Sequence, residues 1–291
     1  MRFKIFCSLF VLSFLFILSS LTVGCTGGST SGELVFDSLR TDTVIPFADQ
    51  SEKPAISIQM KFDYAKSGSP EAVSAFNNSI VRLTPALTEG EAPFAADEDN
   101  VLHMMQTLVG VLSGNYRSEV AEAFSNYDNP EEIPWLNYEA DYEGSVLATV
   151  GPFLSYQIMA YFYTGGAHGS TLCNYLVFDT SKNSVVQLGD IVDEQTRPYI
   201  AELMTNKPLE DMDGRSLNQM KQEGYLFEDA VLDLPDNFFF TSKGITFVFQ
   251  QYEIAPYAMG LISVTLTWDE LQPLLPDDSV ALTLTQTEQA S

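Results

Sequence analysis

The chain has little of what most catalytic chemistry draws on. It has two histidines, which leave few options for a histidine-built metal centre, and three cysteines, too few for a disulfide scaffold. Basic residues are scarce too: 14 Lys and Arg stand against 39 Asp and Glu, for a formal charge of −25. An isoelectric point near 4.1 argues against nucleic acid, whose phosphates most of this surface would repel. No Gly-x-Ser-x-Gly nucleophile elbow occurs, and no glycine-rich stretch ends in Gly-Lys-Ser/Thr or has dinucleotide-loop spacing. No repeat with a period of 20 to 50 residues is visible. After residue 24, no apolar run approaches the ~20 residues that span a bilayer. What is present is an apolar fraction of 45% with 12% aromatics. That suffices for a sizeable core in one large domain or two moderate ones.

The first two dozen residues read as an address. Arg2 and Lys4 precede the apolar run Ile5–Leu18, and Leu21-Thr22-Val23-Gly24-Cys25 follows two serines. A basic start, an apolar middle and a small residue before the cut make a secretory signal. Cys25 directly after Gly24 resembles the lipobox of bacterial lipoproteins, in which that cysteine is acylated. The reading is a lipid-anchored envelope protein, touching the membrane through its anchor only. Thr26 does not resemble the aspartate that retains lipoproteins in the inner membrane, which favours the outer one; which face it occupies stays open. Loss of residues 1–24 removes Arg2 and Lys4 and no acid, taking the formal charge from −25 to −27. Residues 25–50 are expected to be the lipidated cysteine and a flexible tether, given Gly27, Gly28, Ser29, Ser31 and Gly32.

Period-two patterning begins at Ala55–Tyr64, where Ile56, Ile58, Met60, Phe62 and Tyr64 alternate with polar residues. Ser69-Pro70-Glu71 then supplies an N-cap, a first-turn proline and an early acid, predicting a helix that turns Val73, Phe76, Ile80 and Leu83 inward. A second helix is expected over 99–124, weakened in its middle by Gly110 and Gly114. Alternation returns at Tyr138, Ala140 and Tyr142, interleaved with acids, and continues through Phe153–Tyr163 and Thr171–Phe178. Further strands are expected at 184–188, 238–240, 245–250 and 264–266, with short helices near 195–204, 216–223 and 269–275. The fold class is therefore α+β, a mostly antiparallel sheet with helices packed on one side. The expected units are 51–150 and 151–278, followed by a polar tail at 279–291.

Two segments stand out chemically. Tyr161-Phe162-Tyr163-Thr164-Gly165-Gly166-Ala167-His168-Gly169-Ser170 combines glycines that let backbone approach a ligand with a histidine able to act as acid, base or ligand. The structural alternative is a tight crossover between strands, with His168 bonded to a backbone carbonyl. In Phe247-Val248-Phe249-Gln250-Gln251-Tyr252-Glu253-Ile254-Ala255-Pro256-Tyr257-Ala258-Met259-Gly260 a strand delivers two tyrosines, a proline and a small-residue turn to one loop, where rigid aromatics make good anchors for proteins or sugars. The alternative is that both tyrosines pack under the loop. His103, in a helical run without nearby ligands, reads as a partly buried or surface residue. The acids at 97–99 and 210–213 lack the EF-hand spacing. No metal and no cofactor is called for.

With Gln187-Leu188-Gly189-Asp190-Ile191 between them, these segments form three ordered motifs over about 160–275. The chain there resembles the RsiV-like C-terminal domain of unknown function, the ectodomain family of lysozyme-sensing anti-sigma factors. Residues 50–150 are similar in layout to the domain that commonly precedes it. The resemblance implies an α+β envelope domain that recognises a ligand without catalysing, with His168, Gly165, Gly166, Tyr252, Glu253, Pro256 and Tyr257 as ligand-binding residues. The chain departs from those factors in lacking a sigma-binding segment and a transmembrane helix, which puts a signalling role in doubt. The expected partner is a cationic, lysozyme-like protein or a cell-wall glycan, and the acidic charge would steer the former. An enzyme acting on envelope polysaccharide and an accessory subunit of an envelope complex remain as alternatives.

Overall fold

A computed structural model describes residues 33–47, 54–85, 99–126, 129 and 132–285. The signal, Cys25 and residues 26–32 lie outside it, as do Asp97 and Glu98. The first half contains strands β1 (Val35–Pro46) and β2 (Ala55–Ser67) and helices α1 (Pro70–Leu83) and α2 (Val101–Asn126). Strands β3 (Tyr138–Val150), β4 (Phe153–Tyr163), β5 (Ser170–Asp179) and β6 (Ser184–Val185) follow. Then come α3 (Arg197–Asn206), α4 (Leu217–Gln222), β7 (Phe238–Thr241), β8 (Gly244–Phe249), β9 (Ile262–Thr267), α5 (Trp268–Leu271) and α6 (Leu282–Thr285).

Strands β1 to β6 form one six-stranded sheet in sequence order, and β7 to β9 a second, three-stranded one. Every pair is antiparallel except β2–β3. That exception follows from connectivity, since α1 and α2 fill the crossover that parallel neighbours need. The sheet is thus mostly antiparallel and the fold mixed α+β, as the alternation predicts.

The period-two pattern sorts the large sheet into two faces. Ile56, Ile58, Met60 and Phe62 of β2 and Leu154, Tyr156 and Ile158 of β4 meet Phe76 and Ile80 of α1 and Leu108 and Leu112 of α2. Phe76 sits edge-on to Phe36, Tyr156 and Phe178, at 5.4, 5.6 and 5.3 Å between centroids. The predicted cap of α1 forms, the Ser69 hydroxyl accepting the Ala72 N–H at 3.2 Å. Gly110 and Gly114 do not break α2: both lie on its exposed side, with open space where a side chain would be.

A second core joins β7–β9, α3 and α4 to Phe153 and Val177, which point from the opposite face of the large sheet. The Ser155 hydroxyl clamps the two sheets, donating to the Phe240 carbonyl at 2.8 Å and accepting the Phe240 N–H at 2.9 Å.

Four expectations change. Residues 35–46, placed in the tether, are strand β1; its Phe36, Leu39 and Ile45 are separated by threonines and charges, too weak an alternation to read as a buried face. The start of the expected polar tail is packed, with Ala281, Leu284 and Thr285 buried and the Val280 N–H bonded to the Asp190 carbonyl at 3.0 Å. The expected unit boundary at 150/151 falls in the β3–β4 hairpin, whose strands pair from Glu139–Tyr163 to Val150–Phe153. Helices α1 and α2 cover one face as expected, but the second sheet packs on part of the other.

Candidate functional site

The loop joining β4 to β5 is shaped by glycines that a side chain would not fit. Gly165 has φ +84°, and a Cβ there would lie 2.8 Å from the Trp135 carbonyl oxygen. At Gly169 a Cβ would lie 2.4 Å from the Tyr161 ring, so that ring rests on bare backbone. Gly166 is exposed, and its carbonyl accepts the Tyr163 hydroxyl at 3.1 Å.

The second loop is fastened to β5 by side-chain amides. Beyond its two-residue pairing with β6, the outer edge of β5 presents the N–H groups of Thr171, Cys173 and Tyr175. Each finds a carboxamide oxygen: Gln251 at 2.9 Å, Gln250 at 3.0 Å and Asn237 at 2.9 Å. The Cys173 carbonyl accepts from Gln250 Nε2 at 2.8 Å and Asn237 Nδ2 at 2.9 Å. Three side chains thus stand in for a neighbouring strand and satisfy an edge that would otherwise offer itself for pairing. The chain then turns at Tyr252, which has φ +65°. Glu253 accepts the Gln250 N–H at 2.7 Å, and Ile254 and Ala255 are buried beneath the turn.

Between the loops, the His168 and Tyr257 rings stack at 3.8 Å with 16° between planes. The Tyr252 hydroxyl lies 3.5 Å from His168 Nε2, at the outer limit of a hydrogen bond, and the Tyr252 and Tyr257 rings are 5.9 Å apart. Nδ1 of His168 faces the Gly169 carbonyl at 2.9 Å. A carbonyl only accepts, so Nδ1 donates to it. Partial burial first, then the charges of Glu139 and neighbouring groups, push the Tyr161 phenol up from its ordinary value. Among the described residues, no group of three His, Cys, Asp or Glu could hold a metal ion, and no helix is long and apolar enough to cross a membrane.

The structure therefore brings Gly165, Gly166, His168, Tyr252 and Tyr257 into one place. Tyr252 is exposed at 53%, whereas Tyr257 is half-buried by the histidine it covers. Glu253 caps its own turn, and Pro256 opens the 3₁₀ turn Tyr257–Met259. Sequence reasoning missed Asn237, Gln250 and Gln251, since nothing local marks an amide that pairs with a strand more than sixty residues away. Tyr161 and Tyr163 belong to the glycine-rich segment but were given no role there, though their alternation along β4 already put them on the face opposite the core.

Residues 177–269 match the family described as protein of unknown function DUF3298. The match starts within β5, so it includes the Tyr252–Tyr257 loop and not the His168 loop. No curated protein matches the chain. Solved structures share the fold, among them the following two. A member of the DUF3298 family from Bacteroides fragilis superposes with a TM-score of 0.74 at 21% identity, over 88% of this chain and 99% of that one. A DUF3298 family protein from Pseudomonas aeruginosa does so with a TM-score of 0.57 at 14% identity, over 85% and 97%.

Proposed function

We propose that this chain, with its DUF3298 domain at 177–269, is a lipid-anchored envelope protein that binds a protein or glycan ligand and does not catalyse. The observation that carries the reading is the His168–Tyr257 stack with Tyr252 beside it. Two loops from distant parts of the chain meet, one shaped by glycines and one clamped by side-chain amides, and the clamping lowers the ordering cost of presenting the rings. The polar contacts of His168 are a backbone carbonyl and a phenol, which suit a residue that holds rings in place better than one that moves protons. The resemblance to lysozyme-sensing ectodomains makes a lysozyme-type muramidase the first ligand to try. The lipid anchor at Cys25 rests on the signal and its Gly24-Cys25 junction, and the outer-membrane location on Thr26.

The test is calorimetric titration of the mature chain, without its lipid, with a c-type lysozyme at low and at physiological salt. Binding that survives salt and weakens in Tyr257→Ala supports the reading. Heat that vanishes with salt would reduce the interaction to acid meeting base. Turnover of a peptidoglycan substrate, lost in His168→Ala, would replace the reading with the polysaccharide-enzyme alternative.

A further inference from the structure

One face of the six-stranded sheet lies under α1 and α2, and β7–β9 covers only one end of the other. On the remaining part, cross-strand register places Asp42, Gln59, Asp141 and Tyr161 in one row. The adjoining row sets Glu139 beside Tyr163. Met159, two residues from Tyr161 on the same face, is 41% exposed. The Tyr161 ring rests on Gly169, next to the His168–Tyr257 stack, so this face runs unbroken into the loop pair.

The charges here are unbalanced. Lys61 is taken up by Glu143 at 2.9 Å, and Arg40 is the other cation of these rows. Among the described residues, Asp42, Glu139 and Asp141 have neither an ion pair nor a hydrogen bond on their carboxylates. The Asp141 carboxyl is pushed above its ordinary value, by partial burial first and then by Glu139 and Asp42. Like charges held together beside ring faces repel one another until a cation arrives, and tyrosine faces themselves attract cations.

We propose that this uncovered sheet face docks a basic segment of a partner protein, its Lys or Arg side chains meeting Asp42, Glu139 and Asp141 and lying along the rings of Tyr161 and Tyr163. The inference rests on the binding reading above and gives the partner a chemistry: cationic protein in preference to neutral glycan. Charge complementarity is what selects that occupant: a basic segment neutralises the three acids, whereas a neutral sugar only donates hydrogen bonds to them and leaves their mutual repulsion in place.

The probe is a dye-labelled hexa-arginine peptide, titrated into the mature chain at about 0.15 M salt, where long-range attraction is screened. The variant Asp42→Asn/Glu139→Gln/Asp141→Asn is compared with Glu202→Gln/Glu228→Gln/Asp229→Asn, which removes the same charge from exposed positions elsewhere. Expected is about tenfold weaker binding in the first and less than about twofold in the second. Tyr161→Leu, which keeps bulk and removes the ring, should weaken binding a few-fold. Equal losses in the two triple variants would overturn the proposal, because net charge alone would then hold the peptide. Binding of neutral chitohexaose that survives the first triple variant and is lost in Tyr161→Leu would also overturn it. Unchanged unfolding midpoints keep either triple variant interpretable. Failure of lysozyme to bind the unmodified chain would remove the loop reading, while the peptide comparison judges the sheet face separately.

Discussion

Gln250 ties the Tyr252–Tyr257 loop to the large sheet, so its removal tests whether the site is fixed by amide pairing. Its side chain accepts the Cys173 N–H at 3.0 Å and donates to the Cys173 carbonyl at 2.8 Å and Asn174 Oδ1 at 3.3 Å. In Gln250→Ala the carbonyl keeps Asn237, but the N–H of buried Cys173 loses its acceptor. A neutral hydrogen bond is worth roughly 1 kcal/mol net, and stranding a buried donor costs roughly 1–3 kcal/mol. The sum is about 2–4 kcal/mol, or a fall in melting temperature of about 5–12 °C for a chain of this size. Urea unfolding gives the energy, and hydrogen exchange gives the location, since the Cys173 amide should lose protection while β2 keeps it. Lysozyme binding should weaken with it, because the loop must then be ordered at the moment of binding. Gln250→Glu adds a sign test: it keeps an acceptor for the N–H but sets a carboxylate oxygen against the Cys173 carbonyl. Its destabilisation should therefore shrink as falling pH protonates that carboxylate and restores a donor. A melting temperature within about 1 °C of the unmodified protein in Gln250→Ala, with unchanged Cys173 exchange, would refute the reasoning.

Phe76→Ala should cost about 3–5 kcal/mol in chemical unfolding, because a buried ring with three edge-on partners is replaced by a cavity. Gly169→Val should displace the Tyr161 ring and weaken ligand binding while leaving most of the stability in place, as ring shifts in nuclear magnetic resonance spectra would show. Asp141→Asn should stabilise the fold at neutral pH by about 0.5 kcal/mol or less. The penalty it removes begins as pH rises past the ordinary Asp value and is complete above the raised folded one, so the gain should vanish in acid. Glu270→Gln should act oppositely. Burial pushes that carboxyl up, but Lys207 and Thr267 outweigh it and hold it below its usual range, so the stability lost at neutral pH disappears as pH falls through that lowered value.

Local chemistry determined most of the elements. Ser69-Pro70 fixed where α1 begins, and alternation after the Gly151-Pro152 turn placed β4 at Phe153–Tyr163, because capping and the pleat act within a few positions. The two loops of the site were legible as text, since a glycine doublet and a proline between two tyrosines mark turns within a few residues. Strand β1 was not legible, because its half-buried threonines become a core face only once β2 pairs with it. Nor was the packing of Ala281 and Leu284, which depends on a surface assembled from α5 and the second sheet. What only tertiary structure decided is that His168 and Tyr257, 89 positions apart, stack, and that Asp42, Asp141 and Tyr161 share one row. The physical reason is that register and loop meeting are set by long-range pairing and buried amides, for which local sequence carries no period.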